Sequence, residues 1–366
     1  MKRGAILTIV AMAALGTGDA HAQVNFVFGN YSPPAATLNA KGIIPWLEEI
    51  EKRSGGAINT EFIGGGSVVT TKTGLTAMRD GLVDGAFLST IYLPAETPVT
   101  SIFVDLGANL SNTMAASGAL IETMMFDCAA CLDEMKAWNV QPLGSWSTPG
   151  YDLLCTKEVK NLKDLKGLRI RASGHTVPLV DALGATPANL TMTEVYEALQ
   201  RNQVECTFGS AGWLESYSLG ESAKYVLDLD AGGVPSPVLI DVRRDLWEGL
   251  TEDQKKIFVD TAPIAVAGAT WGYLDEESRA LGLSEKGYKL VQPDNDVPEA
   301  IAVQAEKDTA AAIEKAKAKG VDDAQEIANV FLANYERWVE LTKGIESRDA
   351  YAALLSKEIY SRYPMD

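Results

Sequence analysis

One eleven-residue passage occurs twice in the chain, as AMRDGLVDGAF at residues 77–87 and as ALQRNQVECTF at residues 198–208. Each copy has the pattern of the last turns of an amphipathic helix, a tight turn and a short strand that closes on Phe87 or Phe208. Chance similarity over so few positions is the alternative explanation. If the copies are equivalent, the chain contains two lobes, each with the same helix-to-strand unit.

Strand and helix patterns alternate around both copies. In the first half we predict strands at 24–29, 58–63 and 83–88 and helices at 38–53, 71–81 and 112–137. In the second half we predict strands at 140–146, 150–155, 168–172 and 204–208 and helices at 177–183 and 193–201. This alternation predicts an α/β fold with largely parallel sheets. Because ligands bind beyond the carboxyl ends of such strands, two facing sheets predict a ligand cleft between the lobes.

The last third of the chain predicts a strand at 238–242, a long helix at 252–282 and two charged helices at 297–318 and 323–344. Pro263 is expected to bend or break the long helix, which would bridge the two lobes beside a hinge. We therefore assign 23–147 plus about 238–265 to lobe I. Lobe II takes 148–237 plus about 266–366, including the C-terminal helices.

The N-terminal residues 1–22 have the pattern of a secretory signal peptide. A basic start at Lys2 and Arg3 precedes an apolar run that is too short for a membrane span, and Ala20-His21-Ala22 fits a cleavage site. A helix retained in the membrane is the alternative. No cysteine lies at the cut, which argues against a lipid anchor. The expected mature chain of 344 residues begins at Gln23 and is exported, with no other apolar stretch of membrane-spanning length.

Charge and histidine content exclude several function classes. The net charge is −17, and it becomes −18 once the leader is removed. Such a surface repels nucleic acid and anionic membranes. His175 is the only histidine of the expected mature chain, which excludes a histidine-cluster metal site and leaves little room for imidazole-based hydrolysis. No nucleophile-elbow motif is present either. We therefore expect a protein that is not an enzyme and that needs no metal or other cofactor.

Four cysteines in an exported chain usually form disulfides. Cys128 and Cys131 form a CAAC motif inside a helical pattern, and Cys155 and Cys206 lie on strands of one lobe. We favour the pairs Cys128–Cys131 and Cys155–Cys206, with cross-pairing as the alternative. A thioredoxin-like redox site would need CAAC at a helix start after a strand, and a zinc site would need a second such motif.

The segments DLKGLRIR at 164–171, LGATP at 183–187 and TEVYEALQRNQVEC at 193–206 carry a family resemblance. In this order and spacing they resemble the dicarboxylate-binding (DctP) type of solute-binding protein from tripartite ATP-independent periplasmic (TRAP) transporters. The passage at 77–85 and LWEGLTEDQKKIF at 246–258 fit the same family. The resemblance implies a two-lobed periplasmic binding protein fold with mixed sheets. It also implies a protein that closes on a small organic acid and delivers it to membrane permease subunits.

The resemblance places Arg171 at the position of the family's ligand-carboxylate arginine. A guanidinium presents paired donors that match a carboxylate and keeps its charge in a dry pocket. Arg169 lies on the same strand face and is a second candidate, although we favour a solvent-edge cation there because the family commonly has lysine. Both arginines are candidates for binding the acid, with Arg171 as the first and Arg169 as the last choice.

The chain departs from the family pattern where specificity would be set. A second family arginine falls on Tyr151, and the family's Gln-Glu-Asn-Pro is replaced by residues 207–210, which include Gly209 and Ser210. With Trp146 and Trp213 nearby, aromatic rings would line the cleft. Such rings are either ordinary core or the wall for a monocarboxylate, an aromatic acid or a ligand with a cationic end. A C4-dicarboxylate is thereby less favoured.

Strand-end placement adds candidates from the first lobe. These are Asn30 and Tyr31 after the first strand, and Ser89 and Thr90 after the first copy of the repeat. GGG at 64–66 lacks the Lys-Ser/Thr of a phosphate loop and predicts an ordinary loop. An exported enzyme or a sensor domain of the same fold is the alternative function. The sequence leaves open whether the protein is a monomer or a dimer.

Overall fold

In the computed structural model, which describes residues 23–282 and 286–365, hydrogen bonds join the strands into three sheets. The predicted leader, 1–22, lies outside the described residues. Two of the sheets form lobe I and the third forms lobe II. The elements of the first part of the chain are β1 (Val24–Gly29), α1 (Ile44–Arg53), β2 (Ile58–Ile63), α2 (Gly74–Arg79), β3 (Gly85–Ala86), α3 (Ser101–Asp105), α4 (Thr113–Glu122), α5 (Ala129–Ala137) and β4 (Val140–Ser147).

The second part of the chain crosses into lobe II. Its elements are β5 (Asp152–Cys155), α6 (Leu162–Leu165), β6 (Arg169–Ala172), α7 (Thr176–Ala182), β7 (Thr186–Asn189), α8 (Met192–Gln200), β8 (Cys206–Gly209), α9 (Trp213–Ser216) and β9 (Tyr225–Leu227). The chain then continues through β10 (Pro235–Arg243), α10 (Arg244–Gly249), α11 (Glu252–Leu281), β11 (Lys289–Val291), α12 (Asp296–Lys317), α13 (Ala324–Leu341) and α14 (Arg348–Glu358).

The sheets are mixed, as expected for this two-lobed α/β fold. In lobe I, β1 pairs in parallel with β2 and β3, and β4 pairs antiparallel with β10. A bridge between Leu88 and Val238 joins these two sheets. In lobe II the strand order is β11-β9-β5-β8-β6-β7, and only β5 runs antiparallel to its neighbours. The predicted strands 24–29 and 58–63 match β1 and β2 at both ends.

The two copies of the repeated passage have the same local structure. Each leads from a helix, α2 or α8, through a turn into a strand that pairs in parallel, β3 or β8. The turn residue at the equivalent position has positive φ in both, 70° at Gly81 and 53° at Asn202. Glycine and asparagine are the residues that tolerate this conformation best. The repeat is therefore structural and does not reflect chance similarity.

The acid of each repeat makes the same hydrogen bonds. Asp84 N donates to Val27 O (2.8 Å), and the Asp84 carboxylate accepts from Val27 N (3.0 Å). Glu205 N donates to Arg169 O (2.9 Å), and its carboxylate accepts from Arg169 N (2.7 Å). Each carboxylate thus binds a backbone N–H at the edge of the neighbouring strand. This shared bonding explains why an acid follows the valine in both copies.

The long helix α11 crosses the molecule from lobe I to the cleft. It runs unbroken through Pro263, so the predicted break is absent. It packs on a π-helical turn, Leu38–Ile43, where a Cβ on Gly42 would lie 2.6 Å from Ala265 O. This close contact holds α11 against lobe I.

One helix of the described chain, α11, has the length and composition expected of a membrane span, and its most apolar window is 72% buried inside the protein. The bent pair Thr113–Asp127 and Ala129–Ala137 would be a second only if both helices formed one span. The expectation that no further stretch approaches that length is therefore wrong. Because such burial is typical of a core helix, this finding alone is weak evidence for a membrane span.

The predicted helix 112–137 is two helices. After α4 the chain makes a π-helical stretch, Thr123–Asp127, and then bends by 83° into α5. Cys128 is the N-cap of α5, and its sulfur accepts from Cys131 N (3.1 Å). CAAC therefore lies at a helix start and not inside a helix, which corrects our prediction. The residues before it are helical, so the strand that precedes a thioredoxin-type motif is absent from this segment.

The C-terminal helices pack differently from the predicted grouping with lobe II. Helix α13 lies on α4, where Trp338 contacts Gly118, and α14 packs on α11. Tyr360 and Tyr363 donate to carbonyls of β4 at 2.9 and 2.8 Å. Helix α12 contacts both lobes, through α3 and α7. Most C-terminal contacts therefore go to lobe I, because α4 and β4 present the apolar surface that these helices cover.

Candidate functional site

A cavity lies between the lobes, with about 520 Å³ of space not occupied by protein atoms, part of which is open to solvent. Lobe I, lobe II and the bridging helix α11 all contribute to its wall. Its lining is Tyr31, Leu38, Phe87, Ser89, Ile91, Tyr92, Trp146, Pro235 and Ser236 from the lobe I side, Thr148, Tyr151, Arg171, Ser173, Met192, Trp213, Tyr217 and Val234 from the lobe II side, and Tyr273 from α11. This is the interlobe position that the alternating strands and helices predicted for a ligand.

Arg171 is the cation of this cavity. It lies on β6, between β7 and β8, and only 2% of its surface is exposed. Its Nε donates to Leu190 O (2.9 Å), its Nη2 to the Tyr92 hydroxyl (3.0 Å) and its Nη1 weakly to Phe208 O (3.5 Å). Within residues 23–282 and 286–365, no carboxylate oxygen lies within 4.0 Å of it. Its donors thus reach only neutral oxygens, which leaves the charge of a buried guanidinium without a counter-charge.

Aromatic rings form most of the remaining wall. Trp146 and Tyr273 have ring centroids 4.8 Å apart, and Tyr151 and Trp213 have centroids 5.2 Å apart. Tyr217 continues the second pair at 5.9 Å from Trp213. Burial raises the pKa of Tyr151, Tyr217 and Tyr273 well above the usual range of a phenol. These phenols stay neutral, so they add surface and hydrogen-bonding groups to the cavity but no charge.

Six of the residues predicted from the sequence come together on the cavity wall: Tyr31, Ser89, Trp146, Tyr151, Arg171 and Trp213. Four others are buried beside it. Asn30 donates to Asn39 Oδ1 (2.7 Å) inside lobe I, and Thr90 lies under the same loop. Gly209 packs under the Trp213 ring, and Ser210 donates to Glu277. Strand-end placement suggested Asn30 and Thr90, and the family position suggested Gly209 and Ser210. All four lie off the wall, because Asn30 and Ser210 form hydrogen bonds elsewhere, Thr90 is buried and Gly209 has no side chain.

Arg169 lies outside the cavity. Half of its side chain is exposed, and it forms an ion pair with Glu205 (3.0 Å). Alternation along β6 does put it on the Arg171 face. It lies at the solvent end of the strand, however, whereas Arg171 lies two residues closer to the cleft. The structure thus agrees with the solvent-edge interpretation.

The sequence did not identify several wall residues. Tyr92 follows Ser89 by one helical turn, and the 3-10 turn Thr90–Tyr92 directs it to the cavity. Tyr217 and Tyr273 come from segments far apart in sequence, and only tertiary packing brings them to the site. Phe87 could have been predicted from the sequence, because it ends the first copy of the repeat at the carboxyl end of β3.

Two neighbouring carboxyl groups, the buried Asp152 and the partly buried Glu277, lie between β5 and α11. Asp152 on β5 accepts from Leu229 N (2.8 Å), and Glu277 on α11 accepts from Ala211 N (3.3 Å) and from Ser210. Burial, together with the neighbouring Glu277 carboxylate, raises the pKa of Asp152 to about 9. Burial also raises the pKa of Glu277. The pair holds at least one proton at neutral pH and connects lobe II to the bridging helix.

The cysteines are paired as the sequence favoured. Cys128 is bonded to Cys131, and Cys155 is bonded to Cys206 across the antiparallel strands β5 and β8. The second bond ties β5 to β8, and β8 is the strand that pairs with β6 at Arg171. Over the described ranges, no group of three His, Cys, Asp or Glu side chains is arranged to hold a metal ion.

Comparisons with known proteins agree with this geometry. A curated solute-binding protein of Albidiferax ferrireducens is 29% identical over 182 residues, which is 48% of this chain and 51% of the relative. The C4-dicarboxylate-binding periplasmic protein DctP of Rhodobacter capsulatus is 23% identical over 229 residues, 59% of this chain and 64% of that protein. The matched segments thus span between about half and two thirds of these curated relatives.

A solved structure matches over nearly its whole length. It is a TRAP periplasmic solute-binding protein of Bordetella bronchiseptica with bound (R)- and (S)-mandelate, 25% identical, with a TM-score of 0.72. The match covers 86% of this chain and 99% of that structure. The sequence profile of the bacterial extracellular solute-binding proteins, family 7, matches residues 28–315. With most of its length inside that profile, the chain belongs to this family of solute-binding proteins, as its motifs indicated.

Proposed function

We propose that this protein is the extracytoplasmic solute-binding subunit of a TRAP transporter, which captures a small organic acid in the cleft and delivers it to membrane permease subunits. The observation that carries the proposal is the buried Arg171, whose donors reach no carboxylate in the described chain. An arriving carboxylate would supply the missing counter-charge. Export to the periplasm is part of the proposal, since permease-linked capture takes place outside the cytoplasm.

We further propose that the ligand is a monocarboxylic acid with an apolar or aromatic body. Arg171 is the one arginine or lysine on the cavity wall of the described chain, and the surfaces facing it are rings. A second carboxylate would be buried without a cation, which is costly. The mandelate bound in the Bordetella bronchiseptica relative is an acid of this class. The residues proposed to contact ligand are Arg171, Tyr151, Trp146, Trp213, Tyr31 and Ser89.

Calorimetric titration with a small acid panel tests both parts. The panel is benzoate, phenylacetate and (R)- and (S)-mandelate, against succinate and malate as dicarboxylates. We expect wild type to bind at least one monocarboxylate and Arg171→Met to lose that binding. Arg169→Met, a change of the same chemistry two residues away, should retain it. Full affinity in Arg171→Met, or a preference for the dicarboxylates, would refute the corresponding part of the proposal.

Mass spectrometry of the titrated mixture separates binding from catalysis. We expect the acid to be recovered unchanged after prolonged incubation with the protein. Conversion of the acid to a product would support an exported enzyme of the same fold instead.

A further inference from the structure

Tyr92 joins the two lobes through a single oxygen atom. It belongs to lobe I, in the 3-10 turn that follows β3. Its hydroxyl oxygen accepts from Arg171 Nη2 (3.0 Å) on β6 and from Met192 N (3.0 Å) at the start of α8, both in lobe II. The side chain therefore spans the cleft and contacts the guanidinium that is proposed to bind the ligand.

In the described part of the chain, the phenolic proton of Tyr92 has no hydrogen-bond acceptor. Arginine and a backbone N–H can only donate, so Tyr92 must be the acceptor in both bonds. A phenol also carries one O–H donor, and within residues 23–282 and 286–365 no acceptor for it lies within hydrogen-bonding distance. The Tyr92 oxygen is 3.0 Å from an Arg171 nitrogen, and both residues line the cavity. A carboxylate seated on Arg171 would be within reach of the Tyr92 proton.

Tyr92 lies next to a residue that two cavities share. Its neighbour Ile91 lines both this cavity and a second one, which contains Pro94, Val104 and Gly174. Ile91 therefore lies between the two cavities, one residue from the phenol that contacts Arg171.

We infer that Tyr92 is a ligand-binding residue that donates its phenolic proton to the carboxylate held by Arg171 and holds the cleft closed over it. This inference rests on the proposed function, namely that an organic acid binds at Arg171. In the closed complex the carboxylate would receive hydrogen bonds from both lobes at once. Ligand binding and lobe closure would then reinforce each other.

Tyr217 provides a matched control. It is also a cavity phenol that crosses the cleft, since its hydroxyl bonds with the Ser32 hydroxyl of lobe I (3.1 Å), but no hydrogen bond connects it to Arg171. Tyr92→Phe and Tyr217→Phe each remove one hydroxyl oxygen, which ends two hydrogen bonds between the lobes at Tyr92 and one at Tyr217. Only Tyr92→Phe removes a donor next to the guanidinium. The pair therefore separates ligand contact from lobe closure.

The experiment measures affinity and dissociation rate for whichever probe of benzoate, phenylacetate and mandelate wild type binds best. A hydrogen bond to a charged group predicts roughly tenfold to hundredfold weaker binding in Tyr92→Phe. Most of the change should be faster dissociation. Tyr217→Phe should weaken binding less, by roughly twofold to tenfold, as expected for one neutral bond. Ligand-free melting temperatures of both variants verify that they are folded.

The possible results separate this inference from the proposed function. If wild type binds none of the three acids, the proposed function fails. If wild type binds and Tyr92→Phe retains affinity within threefold, the role of Tyr92 is refuted while the function stands. Equal losses in Tyr92→Phe and Tyr217→Phe would also refute it, because lobe closure alone would then explain both. Tyr92→Leu, which lacks any donor, should match or exceed the loss in Tyr92→Phe.

Discussion

Replacing Arg171 with methionine should stabilise the ligand-free protein while it abolishes binding. Methionine fills much of the volume of the arginine stem but needs no counter-charge. The size of the effect depends on the hydrogen bonds of Arg171 and on the cost of burying its charge. Arg171 makes two good hydrogen bonds and one weak one to neutral oxygens, and it makes no ion pair with a described carboxylate.

The change in the free energy of unfolding can be estimated from these contacts. Two hydrogen bonds from a charged donor contribute about 3 kcal/mol together at the lower end of their range. Burying an unpaired ion costs several kcal/mol, roughly 5 after relaxation. The difference predicts that Arg171→Met raises the free energy of unfolding of the ligand-free protein by up to about 2 kcal/mol. With ligand present, wild type becomes the more stable of the two proteins. A ligand concentration of a hundred times Kd stabilises wild type by about 2.7 kcal/mol and leaves Arg171→Met unchanged.

Urea unfolding followed by circular dichroism measures both quantities. The protein must first be unfolded, dialysed and refolded so that no copurified acid remains in the cleft. Arg169→Met is the control, since it breaks an exposed ion pair worth about 0–1 kcal/mol and should not gain stability. A ligand-free Arg171→Met protein that is less stable than wild type by 1 kcal/mol or more would refute the reasoning. Arg171 would then be a structural residue whose charge is already satisfied.

Three further changes test other parts of the structure by urea unfolding. The raised pKa of Asp152, about 9 against the usual 3.8, means that the folded state holds this proton more tightly. The contribution of this proton to stability is full below about pH 4 and is lost as the pH rises through 9. The free energy of unfolding of wild type should therefore fall between pH 5 and 9, and it should fall less steeply in Asp152→Asn. An equal fall in both proteins would contradict the shared proton with Glu277. Replacing Cys155 and Cys206 by serine opens a loop with a sequence separation of 51 and should cost about 2–4 kcal/mol; a cost below 1 kcal/mol would show that the strands hold without it. Gly118→Ala places a methyl 2.2 Å from the Trp338 ring and should cost about 1–3 kcal/mol through overpacking, whereas no loss would mean that α13 shifts freely.

Local sequence patterns predicted the parts of the fold that depend on local interactions. The strands β1 and β2, the helix-to-strand repeat and both disulfide pairs agree with the structure because periodicity, turn residues and strand pairing within one lobe determine them. The break at Cys128 was missed because the apolar pattern of 112–137 continues through the bend. The bounds of α11 agree with the predicted 252–282 to within one residue, but the helix continues without a break through Pro263.

The site was predicted only in part for a similar reason. Arg171 and its aromatic neighbours Tyr151 and Trp146 follow from motif position and from strand ends. Tyr217 and Tyr273 reach the wall through a turn after α9 and through the far half of α11, where no local pattern marks them. Residues that close a cleft come from both lobes, so their pairing depends on the closed arrangement of the lobes and not on any one segment.

Closure also explains how a strongly acidic protein can hold an anion. The net charge of −17 opposes an arriving carboxylate, but salt screens charges beyond about 8–10 Å, so the local cation decides binding. In water a unit charge pair at 4 Å gains only about 1 kcal/mol, and at the effective dielectric of a protein interior it gains about 4 kcal/mol. An open Arg171 would therefore be a weak anchor. We infer that the aromatic wall acts mainly by excluding water, so that enlarging the cavity, as in Trp146→Ala, should weaken acid binding and increase its dependence on salt even though the guanidinium is intact.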